Sequence, residues 1–188
     1  MQQYVDTITC ILDAEDEPVV LVAHSRGGIA ISQAAEERPD RIRRLVYIAA
    51  YLVPSGETLV PLAVSDSGSL VLPNLEINRD EGWDMLRRKA FRDALYADCT
   101  DDDVALAYAL LTPEPSGPTN TPLTTTEANF GRVARAYIEL TEDRAVSWAL
   151  QKRMQSALPC EPVVSIEASH SAYFSRPDEL AQKILIAG

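Results

Sequence analysis

Val19-Val20-Leu21-Val22-Ala23-His24-Ser25-Arg26-Gly27-Gly28 is the stretch that decides the fold. Its first five residues form an unbroken apolar run, too short for a helix and rich in β-branched side chains. That composition predicts a strand buried on both faces, as in a parallel sheet. His24 to Gly28 reads as a sharp turn, and residues 29–37 as a helix closed by Arg38-Pro39-Asp40. A strand that enters a helix through so tight a turn holds the turn residue, Ser25, exposed and strained. Its neighbours Ala23 and Gly27 must be small, because larger side chains there would collide with the packed strand and helix.

Working outward, Tyr4, Val5, Ile8, Ile11 and Leu12 recur at helical spacing and predict an amphipathic helix ended by Glu17-Pro18. Residues 44–50 predict the next strand. The stretch 51–131 has a different texture. It holds most of the prolines, a Ser/Gly-rich patch at 65–69, two predicted helices at 82–96 and 101–111, and a Pro/Thr-rich loop at 113–126. It reads as a lid inserted into a core made of residues 1–50 and 132–188. Beyond it, 133–140 predicts a strand, 144–157 a helix, 162–168 a strand and 177–187 a closing helix. Alternation of strand and helix in both halves predicts an α/β fold with a parallel sheet.

Composition narrows the function. With 17 basic and 28 acidic residues among 188, the net charge is −11. Such a chain repels phosphate backbones and anionic bilayers, so neither nucleic acid nor a membrane is an expected partner. No apolar run approaches the ~18 residues that cross a bilayer. The first sixteen residues carry Asp6, Asp13, Glu15 and Asp16, unlike a signal peptide. Cys10, Cys99 and Cys160 are odd in number and lack metal-type spacing. They read as free thiols of a reducing compartment, and a cytoplasmic location is the default expectation.

The turn carries chemistry. Ala23-His24-Ser25-Arg26-Gly27 matches the nucleophile elbow G-x-S-x-G with alanine at the first glycine. The Arg26 N–H would face a developing oxyanion, aided by the dipole of the following helix. An ordinary strand-to-helix turn with a capping serine is the alternative. A serine hydroxyl needs a base, and the chain has two histidines. His24 adjoins Ser25 and is placed to pack beside the site and touch substrate. His170 follows the strand at 162–168, at the strand end where open α/β sheets place their sites. The acid that orients it comes from the end of the strand at 133–140, as Asp143 or its competitor Glu142; either could instead cap the next helix. The order Ser25, Asp143, His170 suits this fold.

These segments together resemble the α/β-hydrolase superfamily, in the branch of plant methyl esterases, hydroxynitrile lyases and bacterial esterase-like relatives. The resemblance rests on the elbow Val20–Gly28, on Ala136-Tyr137-Ile138-Glu139-Leu140-Thr141-Glu142-Asp143-Arg144-Ala145-Val146, and on Leu150-Gln151-Lys152-Arg153-Met154. Tyr47–Glu57, Tyr96–Val104 and Ser169-His170 add to it, so that it spans nearly the whole chain. It implies that the Asp of Thr-Glu-Asp, here Asp143, is the triad acid. In the lyases a lysine follows the histidine; here Ser171 stands there, which favours ester hydrolysis over cyanohydrin cleavage. The resemblance also implies further strands ahead of Met1 and a His-Gly-type loop that gives the second oxyanion N–H. Residues 1–188 thus read as an α/β-hydrolase with an N-terminally truncated parallel sheet, flanked by helices and carrying an inserted lid. A start codon placed downstream, a deletion, or a second chain would each account for the difference.

The expected activity is hydrolysis of a small carboxylic ester through Ser25, His170 and Asp143, by way of an acyl-enzyme. Candidate substrate contacts are His24, Leu52, Trp83, Phe91, Tyr96 and Leu110, each equally readable as lid packing. No metal or organic cofactor is implied. A weak or silent binding protein on the same fold is the main alternative, and cyanohydrin lysis a third. The strand at 19–23 would lie at a bare sheet edge, which gives a motive for homodimerisation.

Overall fold

A computed structural model describes residues 1–188. Helix α1 (Gln2–Ala14) buries Val5, Thr9 and Leu12 on one face, as the sequence periodicity requires. Strand β1 (Val19–His24) runs into α2 (Gly27–Glu37), whose body from Gly28 to Ala35 is wholly buried. Strand β2 (Ile42–Ile48) follows. The insert then contributes α3 (Leu59–Val64), β3 (Leu75–Asn78), β4 (Trp83–Leu86), α4 (Phe91–Leu95), α5 (Asp101–Leu110) and β5 (Glu114–Pro115). The chain returns through β6 (Arg135–Leu140), α6 (Trp148–Ala157), β7 (Val163–Ile166), α7 (Ala172–Ser175) and α8 (Pro177–Ala187).

Strands β1, β2, β6 and β7 form one parallel sheet in that order. Leu45 and Tyr47 of β2 join one core cluster, with residues of α1, α2 and α6. Val46 and Ile48 point the other way, into a second cluster with Leu180 and Ala187 of α8. Register pairs His24 with Ile48, Ile48 with Ile138, and Leu140 with Ile166, so the four strands end on the same side. Residues just past β1, β6 and β7 therefore gather at one rim of the sheet.

Three expectations need correction. The run 19–23 is not buried on both faces. It is an edge strand paired only with β2, with Val19, Val20 and Leu21 half-buried and Val22 exposed. The stretch 82–96 is not one helix. Leu75–Asn78 and Trp83–Leu86 pair as an antiparallel hairpin, and β5 adds a third strand from the Pro/Thr-rich segment. Helix starts only at Phe91. The hairpin and α4–α5 enclose a core of their own, built on Leu86, Phe91, Tyr96, Cys99 and Val104. Helix α5 is fixed by a capping box in which the Thr100 hydroxyl accepts from Asp103 N at 3.2 Å and Asp103 accepts from Thr100 N at 3.0 Å. Helix α6 starts at Trp148 rather than 144, because Asp143 first ties residues 145 and 146 into a turn. No helix is long and apolar enough to cross a membrane.

Candidate active site

Ser25 sits in the left-handed region, at φ 53°. For a residue with a Cβ that conformation costs about 1–2 kcal/mol, so the surroundings must enforce it. Ser25 N donates to Ile48 O at 3.3 Å, and Ser25 O accepts from Gly28 N at 3.3 Å and Tyr51 N at 3.0 Å. The two glycines have different tasks. A Cβ on Gly27 would lie 3.3 Å from the Ala23 methyl, whereas one on Gly28 would lie 2.2 Å from the Tyr51 carbonyl oxygen. Gly28 is thus the position where no side chain fits. The first helical bonds of α2 run from Gly28 and Ile29. The Arg26 and Gly27 amides lie ahead of them, outside the ladder and close to the serine.

Asp143 lies in the loop after β6 and His170 in the loop after β7. His170 Nδ1 donates to Asp143 Oδ2 at 2.7 Å. The other carboxylate oxygen accepts from Ala145 N at 2.6 Å and Val146 N at 3.0 Å. Both oxygens are engaged, which fixes the carboxylate and, through it, the imidazole plane. The Nδ1 bond leaves Nε2 as the nitrogen free to accept a proton. Glu142 is exposed, so the geometry assigns the partner of His170 to Asp143. Both members of the pair are buried, His170 at 4% exposure and Asp143 at 5%.

His24 braces the other side of the imidazole. Its Nε2 donates to His170 O at 2.9 Å, and the two ring centroids are 4.2 Å apart. Burial, and then the proximity of His170, hold the His24 pKa well below its usual 6.5. His24 is therefore held neutral, packed against His170 with its Nε2 engaged by the His170 carbonyl. Ser25, His24 and His170 line one cavity of about 410 Å³ between the sheet rim and the insert.

Residues 2–183 match the alpha/beta hydrolase family. The chain belongs to that family. It is 32% identical to a putative chloroplastic methylesterase 11 of Arabidopsis thaliana, over 98% of this chain and 50% of that protein. It is 30% identical to a pyrethroid hydrolase of Sphingobium wenxiniae, over 98% of this chain and 68% of that one. The chain spans about half the length of the curated methylesterases it matches. Among solved structures, that of polyneuridine aldehyde esterase shares the fold with a TM-score of 0.83 at 22% identity, over 97% of this chain and 77% of that one. A methylesterase from Arabidopsis does so with a TM-score of 0.84 at 24% identity, over 98% and 76%.

Within this hydrolase fold the expected substrate contacts divide. His24, Phe91 and Tyr96 line the cavity; Leu52, Trp83 and Leu110 do not. Leu52 is fully buried in the main core. Trp83 occupies a half-buried position of β4 and donates its indole N–H to Glu81 at 2.6 Å. Leu110 ends α5 facing solvent at 67% exposure, while its neighbour Leu111 reaches the cavity wall. Sequence reasoning missed Tyr51, Asp84, Ser171 and Tyr173, which also line it. Ser171 Oγ donates to Tyr173 Oη at 3.1 Å. Burial, and then Tyr173, push the Tyr96 hydroxyl far above its usual pKa, so it stays protonated. Tyr173 could have been found only by placing α7 beside the base loop; Asp84 could have been found from the alternation of β4, had that strand been recognised.

Proposed function

We propose that this chain carries the catalytic core of a serine hydrolase that cleaves small, uncharged carboxylic esters. The observation that carries the reading is the 2.7 Å bond from His170 Nδ1 to Asp143, beside a serine at φ 53° on the same cavity. Ser25 Oγ attacks the ester carbonyl while His170 Nε2 takes its proton. The carbonyl oxygen gathers negative charge toward the Arg26 N–H and the start of α2. Asp143 stabilises the imidazolium that forms. His170 then returns the proton to the departing alcohol, and the acyl group remains on Ser25. Water, deprotonated by the same imidazole, attacks the acyl-enzyme, the bond to Ser25 Oγ breaks as His170 returns that proton to it, and the carboxylic acid leaves. The names of the relatives, methylesterases and a pyrethroid hydrolase, support an ester as the bond cleaved. At the position after His170 the side chain is Ser171, a neutral hydroxyl bonded to Tyr173, which offers no cation to hold a cyanide leaving group.

A fluorophosphonate probe tests the reading. Covalent labelling of the purified chain, abolished by Ser25→Ala and accompanied by hydrolysis of p-nitrophenyl acetate, is the expected result. A folded, monodisperse chain that takes no label and cleaves no ester would overturn it in favour of a binding role.

A further inference from the structure

The elbow, the acid loop and the base loop all belong to the parallel-sheet core. Each is held by a different aspartate of the insert. Asp84, on β4, accepts from Arg26 Nη2 at 2.5 Å and is 5% exposed. Arg26 is the residue after Ser25, and Glu114 on β5 meets the same guanidinium at 3.5 Å. Asp66, just past α3, accepts from Ser147 N at 2.9 Å and Ser147 Oγ at 2.5 Å. Ser147 in turn caps α6 through Leu150 N, directly after the turn whose amides hold Asp143. The same part of the insert runs along the acid loop, with Ser69 Oγ donating to Ala145 O at 2.8 Å and Leu70 N to Arg144 O at 2.7 Å. Asp98, ahead of α5, accepts from Ser169 N at 3.1 Å and from the Ser169 hydroxyl. Ser169 immediately precedes His170. Cys99 Sγ lies 3.9 Å from Ser171 O, on the far side of the histidine.

The insert's other aspartates do nothing comparable. Asp103 caps its own helix, Asp101 pairs with Arg92 inside the insert, and Asp80, Asp93 and Asp102 are exposed. Three aspartates reach across to the core, and their three targets lie next to the nucleophile, the acid and the base. Charged hydrogen bonds shielded from water are stronger and more directional than surface pairs. Burial alone would raise the Asp98 pKa, yet it is lowered, with the Ser169 hydroxyl and amide donating to the carboxylate, as expected of a group held in its charged form.

We propose that Asp66, Asp84 and Asp98 are positioning residues, through which the insert holds the three catalytic loops in register. The proposal rests on reading Ser25, Asp143 and His170 as a triad. None of the three aspartates is hydrogen-bonded to the side chain of Ser25 or His170, although Asp84 also lines the cavity. Each acts through the residue it grips, and a misplacement of about 1 Å at a reacting centre costs about 100-fold in rate. These contacts join the insert to all three loops. Lifting it would release all three loops at once.

The test uses the full chain with Asp66→Asn, Asp84→Asn and Asp98→Asn, and Asp93→Asn as control. Two readouts separate positioning from bulk stability, both taken well below the melting temperature. One is the rate of fluorophosphonate labelling. The other is proton NMR in water, reading the far-downfield His170 Nδ1–H and the Arg26 backbone amide. Expected are a tenfold or greater loss of labelling rate in each clamp variant that stays folded, and parental behaviour in Asp93→Asn. The His170 proton should shift or broaden in the Asp66 and Asp98 variants, and the Arg26 amide should shift in the Asp84 variant. Folded variants that label within twofold of the parent, with both resonances unmoved, overturn the proposal. Should an asparagine variant fail to fold, Ser147→Ala and Ser169→Ala remove one bond each from the core side. Those two should lose threefold or more in labelling rate, and parental rates in both would overturn the Asp66 and Asp98 assignments. A parent chain that shows the downfield proton but takes no label would sink the hydrolase reading alone; the resonances of the variants then decide the positioning claim.

Discussion

Substituting Gly28 by alanine should disrupt the elbow, and the structure sets the scale. The new Cβ would stand 2.2 Å from Tyr51 O, where ordinary contact begins at 3.4 Å, so the two backbones must part by 3.4 − 2.2 = 1.2 Å. Tyr51 N donates to Ser25 O at 3.0 Å, and a displacement of that size takes the pair beyond hydrogen-bond range. Overpacking of this kind costs about 1–3 kcal/mol, and a lost buried backbone bond about 1 kcal/mol more. Alanine recovers up to ~1 kcal/mol of helix propensity, leaving a net loss of about 1–3 kcal/mol. For a chain of this size that lowers Tm by roughly 2–12 °C. Gly27→Ala is the matched comparison, because its Cβ would meet only the Ala23 methyl at 3.3 Å, a contact that small shifts relieve. Circular-dichroism melts of both variants should separate them, with Gly27→Ala close to the parent. Labelling of Ser25 by a fluorophosphonate should fall far more in Gly28→Ala than in Gly27→Ala. Equal melting temperatures and equal labelling rates for the two variants would refute the claim that Tyr51 O fixes the elbow.

Asp143→Asn keeps an oxygen for the amides of Ala145 and Val146 but sets an NH₂ against His170 Nδ1. Esterase turnover should fall by about 10⁴, the loss seen when a triad acid is replaced by its amide, with Tm nearly unchanged; steady-state kinetics with p-nitrophenyl acetate would show it. His24 predicts a pH dependence of folding. Its folded pKa is depressed below 6.5 by burial and by His170, so the unfolded chain binds the extra proton first. Its contribution is intact above pH ~6.5 and is lost as pH falls below that value. Tm measured from pH 7.5 to 5 should drop less steeply in His24→Asn than in the parent, and parallel slopes would exclude His24 as the source. Ser25→Gly removes the left-handed cost of about 1–2 kcal/mol and adds about 0.4–1 kcal/mol of unfolded-chain entropy. Tm should therefore stay level or rise slightly while all labelling disappears, and a clear fall in Tm would show that the serine side chain stabilises its own turn.

What the sequence shows and hides follows from range. Strands β1, β2, β6 and β7 are short stretches rich in apolar residues and bounded by turn signals, a pattern with few other solutions. The tight turn at Ser25 is legible through its flanks, and with only two histidines in the chain the one beyond β7 stands out as the candidate to meet it. The hairpin at 75–86 was illegible because its strands are four residues long and lie next to the charged turn Arg79-Asp80-Glu81 and a true helix at 91–95. Glycine at 27 and glycine at 28 look alike on paper; only the approach of Tyr51, from the end of another strand, tells them apart. The aspartate clamps span 58, 81 and 71 positions in the chain, and no local pattern encodes a partner at such distance.

The strain at the serine is not borne by the elbow alone. Ala49 is the other non-glycine residue at positive φ, 39°, and it follows β2 as Ser25 follows β1. The two strands end in register, His24 beside Ile48. Ser25 N bonds to Ile48 O, Ala49 N bonds to Ile138 O at 2.9 Å, and Tyr51 N returns to Ser25 O. The left-handed turn at Ala49 is what carries the chain off β2 and brings Tyr51 across the elbow. That same approach excludes a side chain at Gly28 and fixes the carbonyl of Ser25. Alanine is a costly residue for this backbone, and glycine would relieve the strain while loosening the approach. The Tyr51 backbone meets both Gly28 of α2 and the Ser25 carbonyl, so the strain at Ala49 is tied at once to the close approach of α2 and to the pose of the serine.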